Sequence, residues 1–266
     1  MTLTIKWNKS IKTSLVLNLK PFITFQTQCM CDKVTAMADW SEKLSFHEFS
    51  QFCEASVKEK KKDKRVKNLG RFLTSCRAKA GQQSLFPLLR FLLPNMDKDR
   101  GAYRIKETLL ASLYAAFLQL GPTSKDALLL KNFRAPKSNP DDAGDFAAVL
   151  FTVMKDRGYS STDLTCLKVN ATLDSIVQRS EGREGTKEVE KLLKEMFLKM
   201  DPVGQKWFVR LILKDLKIGL GPTAILSAFH PDASALLDVQ VNINSFNFPN
   251  DLQMKTSLGK FVCRLL

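Results

Sequence analysis

Four bases and a glycine turn carry the most specific chemical suggestion in this chain. On a helix at about 100° per residue, Lys206, Arg210, Lys214 and Lys217 fall within an arc of about 80°. Trp207, Phe208, Leu211, Ile212, Leu216 and Ile218 occupy most of the remaining circumference. The pattern therefore predicts a helix over residues 206–220 with one cationic face and its other sides buried. That helix runs into Ile218-Gly219-Leu220-Gly221-Pro222-Thr223, where Pro suits the first position of a following helix. Unpaired backbone N–H groups at such a turn, with the positive end of the next helix dipole, suit a phosphate. A line of bases ending at an anion-accepting turn is a track for a nucleic-acid backbone. A surface helix with a glycine cap is the plainer alternative. Asp215 projects near the middle of the apolar side, where a carboxylate must be paired or hydrogen-bonded, and is expected to be structural.

Other candidates for chemistry are thin. Residues 58–67 (KEKKKDKRVK) hold seven bases and two acids, which fits a nuclear localisation signal, a nucleic-acid patch or a solvated helix face. Asp141, Asp142 and Asp145 open a helix and are expected to cap its N–H groups; a metal loop needs more oxygen ligands at regular spacing. His47 and His230 are the only histidines, so a His-centred triad or a His-rich metal site has little to draw on. Of six cysteines, Cys29 and Cys31 alone are close together, and no CxxC pair exists. No metal site is expected, and free thiols in a reducing compartment are. Phe46, Phe49, Phe52 and Phe72 crowd the first helices and read first as core.

The elements that must position these residues are helices. The chain has 266 residues, 44% hydrophobic and 26% charged, a globular balance. No stretch approaches the roughly 18 apolar residues of a spanning helix, so no membrane role is expected. A formal net charge of +14 and a pI near 9.5 point to nucleic acid or another anionic surface as partner. Val189, Leu192, Leu193, Met196, Phe197 and Met200 form one helical stripe, and Ile105, Leu109, Leu113, Phe117 and Leu120 another. Residues 146–154 and 164–177 read as two more helices, joined by short Pro-, Gly- and Asx-bearing connections. The fold class is all-α: one multi-helix domain over residues 37–240. Residues 1–36 are expected to be a disordered or non-native extension with Met37 as the functional start. Residues 241–266 read as a divergent tail, with a short strand suggested by the alternation of Val239, Val241 and Ile243.

Several segments carry a family resemblance in combination: LFPLLRFLLP (85–94), AYRIKETLLA (102–111), DAGDF (142–146), QKWFVRLILKDLKIG (205–219) and FHPDA (229–233). Together they resemble the N-terminal DNA-binding domain of eukaryotic ATP-dependent DNA ligases, the ligase IV branch above all, over roughly residues 41–240. The resemblance implies an all-helical domain that clamps double-stranded DNA across the minor groove, largely through the phosphate backbone. It implies a role in sealing double-strand breaks by non-homologous end joining in the nucleus. The DNA-facing set it suggests is Lys206, Arg210, Lys214, Lys217, Gly219 and Gly221, joined by Arg104 and Lys106. It also implies an end-processing nuclease docked through the first helices. Ligases of this type attach AMP to the Lys of a Lys-x-Asp-Gly motif, which this sequence lacks; Lys98-Asp99-Arg100-Gly101 and Lys155-Asp156-Arg157-Gly158 have the wrong order. This chain is therefore expected to have no catalytic residue and no cofactor of its own, and to be inactive alone. ATP and Mg would serve a nucleotidyltransferase domain beyond it. A basic helical scaffold for protein partners, without DNA affinity, is the alternative reading.

Overall fold

The structure, a computed structural model, describes residues 40–135, 143–157, 162, 164–179, 182–230 and 233. The extension expected at residues 1–36, the tail at 241–266 with its strand, and Asp141 and Asp142 lie outside the described residues. Among the described residues there are ten α-helices and no strand: α1 (Phe46–Lys58), α2 (Lys62–Ala80), α3 (Phe86–Leu92), α4 (Glu107–Phe117), α5 (Lys125–Lys131), α6 (Phe146–Met154), α7 (Cys166–Arg179), α8 (Gly182–Lys199), α9 (Pro202–Ile212) and α10 (Pro222–Phe229). The all-α expectation holds. No helix among them is long and apolar enough to cross a membrane.

Helix starts follow from short polar side chains that satisfy otherwise orphaned N–H groups. Ser45 accepts from His47 N ahead of α1, Ser124 from Ala127 N ahead of α5, and Asp145 from Ala148 N ahead of α6. Asp201 accepts from Gly204 N at 2.7 Å, with Pro202 at the first turn of α9. Asp145 thus caps, as its position suggested.

Helix α9 is the centre of the fold. It packs against α6 and α1, and all its residues from Gly204 to Ile212 are buried. Its core side chains, Trp207 and Phe208, join Phe46, Phe49, Phe91 and Phe146 in one apolar cluster. Most of its polar groups are matched, Arg210 Nε being buried without a partner among the described residues: Gln205 Oε1 accepts from Tyr114 Oη at 2.6 Å, Gln205 Nε2 donates to Met196 O at 2.7 Å, and Trp207 Nε1 donates to Glu54 Oε1 at 2.9 Å. Phe46, Phe49 and Phe52 are core, and half-buried Phe72 stacks on Phe52 at 4.3 Å.

Two helices depart from the expected pattern at their ends. In α4 the buried residues are Leu110, Ala111 and Tyr114, while Leu109 is 37% exposed. Ile105 precedes the helix and Leu120 follows it, so neither shares its periodicity. The helix expected over 206–220 ends at Ile212. Both helices close the same way, with a non-glycine residue in the left-handed region: Gln119 at φ 52 and Lys214 at φ 56. After α4, Leu120 N donates to Ala115 O and Gln119 N to Ala116 O; after α9, Asp215 N donates to Arg210 O and Lys214 N to Leu211 O. Glycine is the usual occupant of that capping position, and its absence hides both ends from the sequence.

Candidate nucleic-acid interface

The burial of α9 changes the meaning of its bases. Lys206 and Arg210 are 8% and 6% exposed, so the solvent-facing stripe expected of them is corrected. Lys206 Nζ pairs with Glu54 Oε1 of α1 at 2.7 Å and sits 5.3 Å from the Phe151 ring centroid. Arg210 Nη2 pairs with Asp145 Oδ2 at 2.7 Å, and its guanidinium lies 4.6 Å from the Trp207 ring centroid. The two bases fasten the central helix to α1 and to the cap of α6. Being charge-matched, they can be buried among apolar neighbours.

Lys214 and Lys217 lie beyond the helix, in the turn that leads to α10. Both have positive φ, as does Arg104, so three of the four non-glycine residues with positive φ among the described residues belong to the expected DNA-facing set. Each such residue stores roughly 1–2 kcal/mol of backbone strain, held by its surroundings. For Lys214 the holding contacts are explicit. Its ammonium donates to the carbonyls of Asp97, at 3.1 Å, and of Arg100, and lies 5.7 Å from the Tyr103 ring centroid. Lys214 is thereby a strut between the turn after α9 and the loop that carries Arg104 and Lys106. Both of these bases are exposed, with Lys106 at the N-cap of α4.

The loop end of that strut is itself anchored. Arg100 is buried and donates to Asp174 Oδ1 at 2.7 Å and Asn170 Oδ1 at 2.7 Å, both on α7. Arg90 bridges Asp97, at 2.6 Å, and Asp174, at 3.0 Å. Burial pushes the Asp174 carboxyl up, but the Arg100 hydrogen bond and charge, with Arg90 behind them, outweigh it and hold the group below the usual carboxylate range. A carboxyl held below its unfolded value adds stability that is present above pH about 4 and lost as pH falls through the folded value. The melting midpoint is expected to drop as pH is lowered below about 4. Asp174→Asn is expected to lower the midpoint at neutral pH and to flatten that drop, read from melting curves over an acid series.

Across the turn, Lys217 Nζ lies 3.7 Å from Asp145 Oδ2 and 3.6 Å from Asp215 Oδ2, with its side chain 41% exposed. Asp215 is 60% exposed, which corrects the expectation of a buried structural carboxylate: the helix ends before it and turns it outward. Gly219 has φ +70, and a Cβ there would collide with the Arg65 guanidinium of α2. Arg65 Nη1 donates to Gly219 O at 3.2 Å, and Arg65 Nε donates to Glu59 O. Gly221 is the N-cap of α10, with Pro222 next as expected, and no side chain caps that helix. A Cβ on Gly221 would meet nothing within 4 Å. The turn thus presents exposed glycines, an uncapped helix N-terminus and nearby bases, an arrangement that can accept an anion.

The described helices run from N-cap Ser45 of α1 to C-cap His230 of α10. The family model for the DNA ligase N terminus matches residues 45–230, more than half of the chain. The chain belongs to the DNA ligase family. DNA ligase 4 of Homo sapiens is 34% identical over 221 residues, covering 78% of this chain and 24% of that protein. DNA ligase 4 of Gallus gallus is 39% identical over 160 residues, covering 60% and 17%. DNA ligase 4 of Dictyostelium discoideum is 31% identical over 209 residues, covering 77% and 18%. This ligase chain spans about a quarter or less of the length of these relatives.

The adenylated Lys of a Lys-x-Asp-Gly motif is missing from the sequence, and no group of three or more His, Cys, Asp or Glu side chains among the described residues could hold a metal ion. The ligase residues that sequence reasoning missed are Glu54, Asp97, Asp174 and Arg65. Each acts on a partner far along the chain, as in Arg65 with Gly219, 154 residues apart.

Proposed function

We propose that this chain is the duplex DNA-binding module of an ATP-dependent ligase of the DNA ligase 4 type, acting in double-strand break repair by non-homologous end joining in the nucleus. The observation that carries this reading is the exposed, uncapped N-terminus of α10 at Gly221. It is coupled through the Lys214 strut to the loop bearing Arg104 and Lys106. Helix N–H groups and the dipole favour a phosphate there, and Arg104, Lys106 and Lys217 supply long-range attraction. Lys214, Lys206 and Arg210 act by holding these elements in place. Contacts of this kind grip the backbone and read little sequence, which suits an enzyme that must seal any break. Adenylation, with ATP and Mg, belongs to a nucleotidyltransferase domain that these residues do not include. The relatives named DNA ligase 4 support the same assignment. Docking of an end-processing nuclease on the first helices would have to use surfaces other than Phe46, Phe49 and Phe52, which are buried.

Gly221 offers a direct test. Its φ of −79 suits any residue, so the free fold does not require glycine there. Gly221→Ser places a hydroxyl on the N–H groups that a phosphate would take, and Ser caps helices at least as well as Gly. The variant is expected to melt at or slightly above the parent temperature and to bind duplex DNA more weakly, equally so for unrelated sequences. Unchanged duplex affinity would remove the phosphate from this turn.

A further inference from the structure

Helix α2 carries a second cationic surface. It buries Leu69, Leu73, Cys76 and Ala80 along one side. At about 100° per residue, Lys64, Lys67 and Arg71 lie together roughly opposite that side. All three are exposed, as are Lys60 and Lys61 just before the helix. Several exposed bases elsewhere have carboxylate partners, Lys191 with Glu188 at 2.6 Å, Lys199 with Glu195 at 2.7 Å, Lys168 with Glu195 at 3.6 Å, and Arg157 with Asp126, while others such as Lys98 and Lys131 stand singly among the described residues. Among the described residues, no ion pair joins Lys60, Lys61, Lys64, Lys67 or Arg71 to a carboxylate.

This arrangement works against the helix that bears it. Like charges three and four residues apart cost about 0.2–0.5 kcal/mol per pair, and bases near a helix N-terminus oppose its dipole. No side chain caps α2, whose N-cap residue is itself Lys61. Asp63 in the first turn offsets part of the dipole cost, and an anion laid along this face would offset the repulsion among Lys64, Lys67 and Arg71. The helix itself, through its buried side, adjoins the proposed phosphate site. Arg65 reaches from α2 to the Gly219 carbonyl, Arg77 donates to the carbonyls of Ala228, at 3.4 Å, and Phe229, at 2.7 Å, and α2 packs along α10.

We propose that the solvent face of α2, centred on Lys64, Lys67 and Arg71, is a second phosphodiester-binding surface that takes the duplex beyond the stretch held at the glycine turn. The proposal rests on the DNA-binding reading above. A helix of 19 residues is about 28 Å long, comparable with the axial rise of roughly eight base pairs of duplex at about 3.4 Å each.

The test uses the full 266-residue chain with Lys64→Gln, Lys67→Gln and Arg71→Gln combined, beside Gly221→Ser alone and all four changes together. Affinity for a duplex of about 30 base pairs, roughly 100 Å long, is measured across a salt series, with a melting curve for each variant. The triple variant is expected to keep or raise the melting midpoint. Its salt slope is expected to fall by about two to three units, with the loss adding to that of Gly221→Ser. A triple variant that binds like the parent while Gly221→Ser weakens binding overturns this proposal and leaves the glycine-turn site intact. A parent chain with no salt-dependent duplex affinity overturns both. A triple variant that keeps duplex affinity but loses binding to poly-glutamate overturns it in favour of an acidic polypeptide.

Discussion

Replacing Arg210 with Ala is expected to destabilise the domain by about 3–5 kcal/mol, the cost of leaving one partner of a buried ion pair unmatched. Arg210 is 6% exposed. Its guanidinium neutralises Asp145, which must also cap α6, and it covers one face of Trp207 at the centre of the core. Truncation leaves the Asp145 carboxylate, itself only 18% exposed, with Lys217 at 3.7 Å as its nearest described cation. Asp145→Ala removes both the cap and the pair. The double variant should therefore lose less than the sum of the two single changes, because the pair is counted once. Urea unfolding followed by tryptophan fluorescence reads these differences. Duplex affinity of the folded fraction should change little. A variant within about 0.5 kcal/mol of the parent, the range of ordinary surface changes, together with weakened DNA binding, would instead put Arg210 on the DNA-facing surface.

Gly219→Val is the change expected to harm fold and binding together. At φ +70 a β-branched residue costs at least the roughly 1–2 kcal/mol of left-handed backbone. The added side chain also displaces the Arg65 guanidinium, which can swing away only by giving up the Gly219 carbonyl. The turn that presents Gly221 then loses its tie to α2, and duplex affinity should drop with stability. Arg65→Ala separates the two effects. It should loosen the turn without backbone strain, and in its presence Gly219→Val should cost less than in the parent. Equal costs of Gly219→Val in both backgrounds would show that Arg65 does not hold this turn. Melting curves beside duplex titrations check both statements.

The helices were legible because burial imposes a 3.6-residue period that the sequence carries openly. The span of α6 and the apolar face of α8, with Val189, Leu193, Met196 and Phe197 buried, follow from it directly. The end of α9 was not legible, because a lysine occupies the left-handed capping position where glycine ordinarily marks the stop. Because the helix stops at Ile212, Lys214 and Lys217 leave the line of Lys206 and Arg210, and Asp215 turns to solvent. Burial of Lys206 and Arg210 depends on Glu54 and Asp145, which lie 152 and 65 residues away in the chain. A helical wheel shows which side is polar, and it cannot show whether that side meets water or a carboxylate of another helix. The glycine turn was readable from Gly219, Gly221 and Pro222, whereas the guanidinium that occupies the space beside Gly219 was not.

The two turns joined by Lys214 are expected to meet the phosphate backbone through Arg104, Lys106 and Lys217. The most direct measurement is duplex affinity over a salt series for the chain with these three residues changed to Gln, read against the parent. A salt slope shallower by about two to three units, losses equal across unrelated sequences, and stability within about 0.5 kcal/mol of the parent are expected. An unchanged slope with unchanged affinity would contradict that contact.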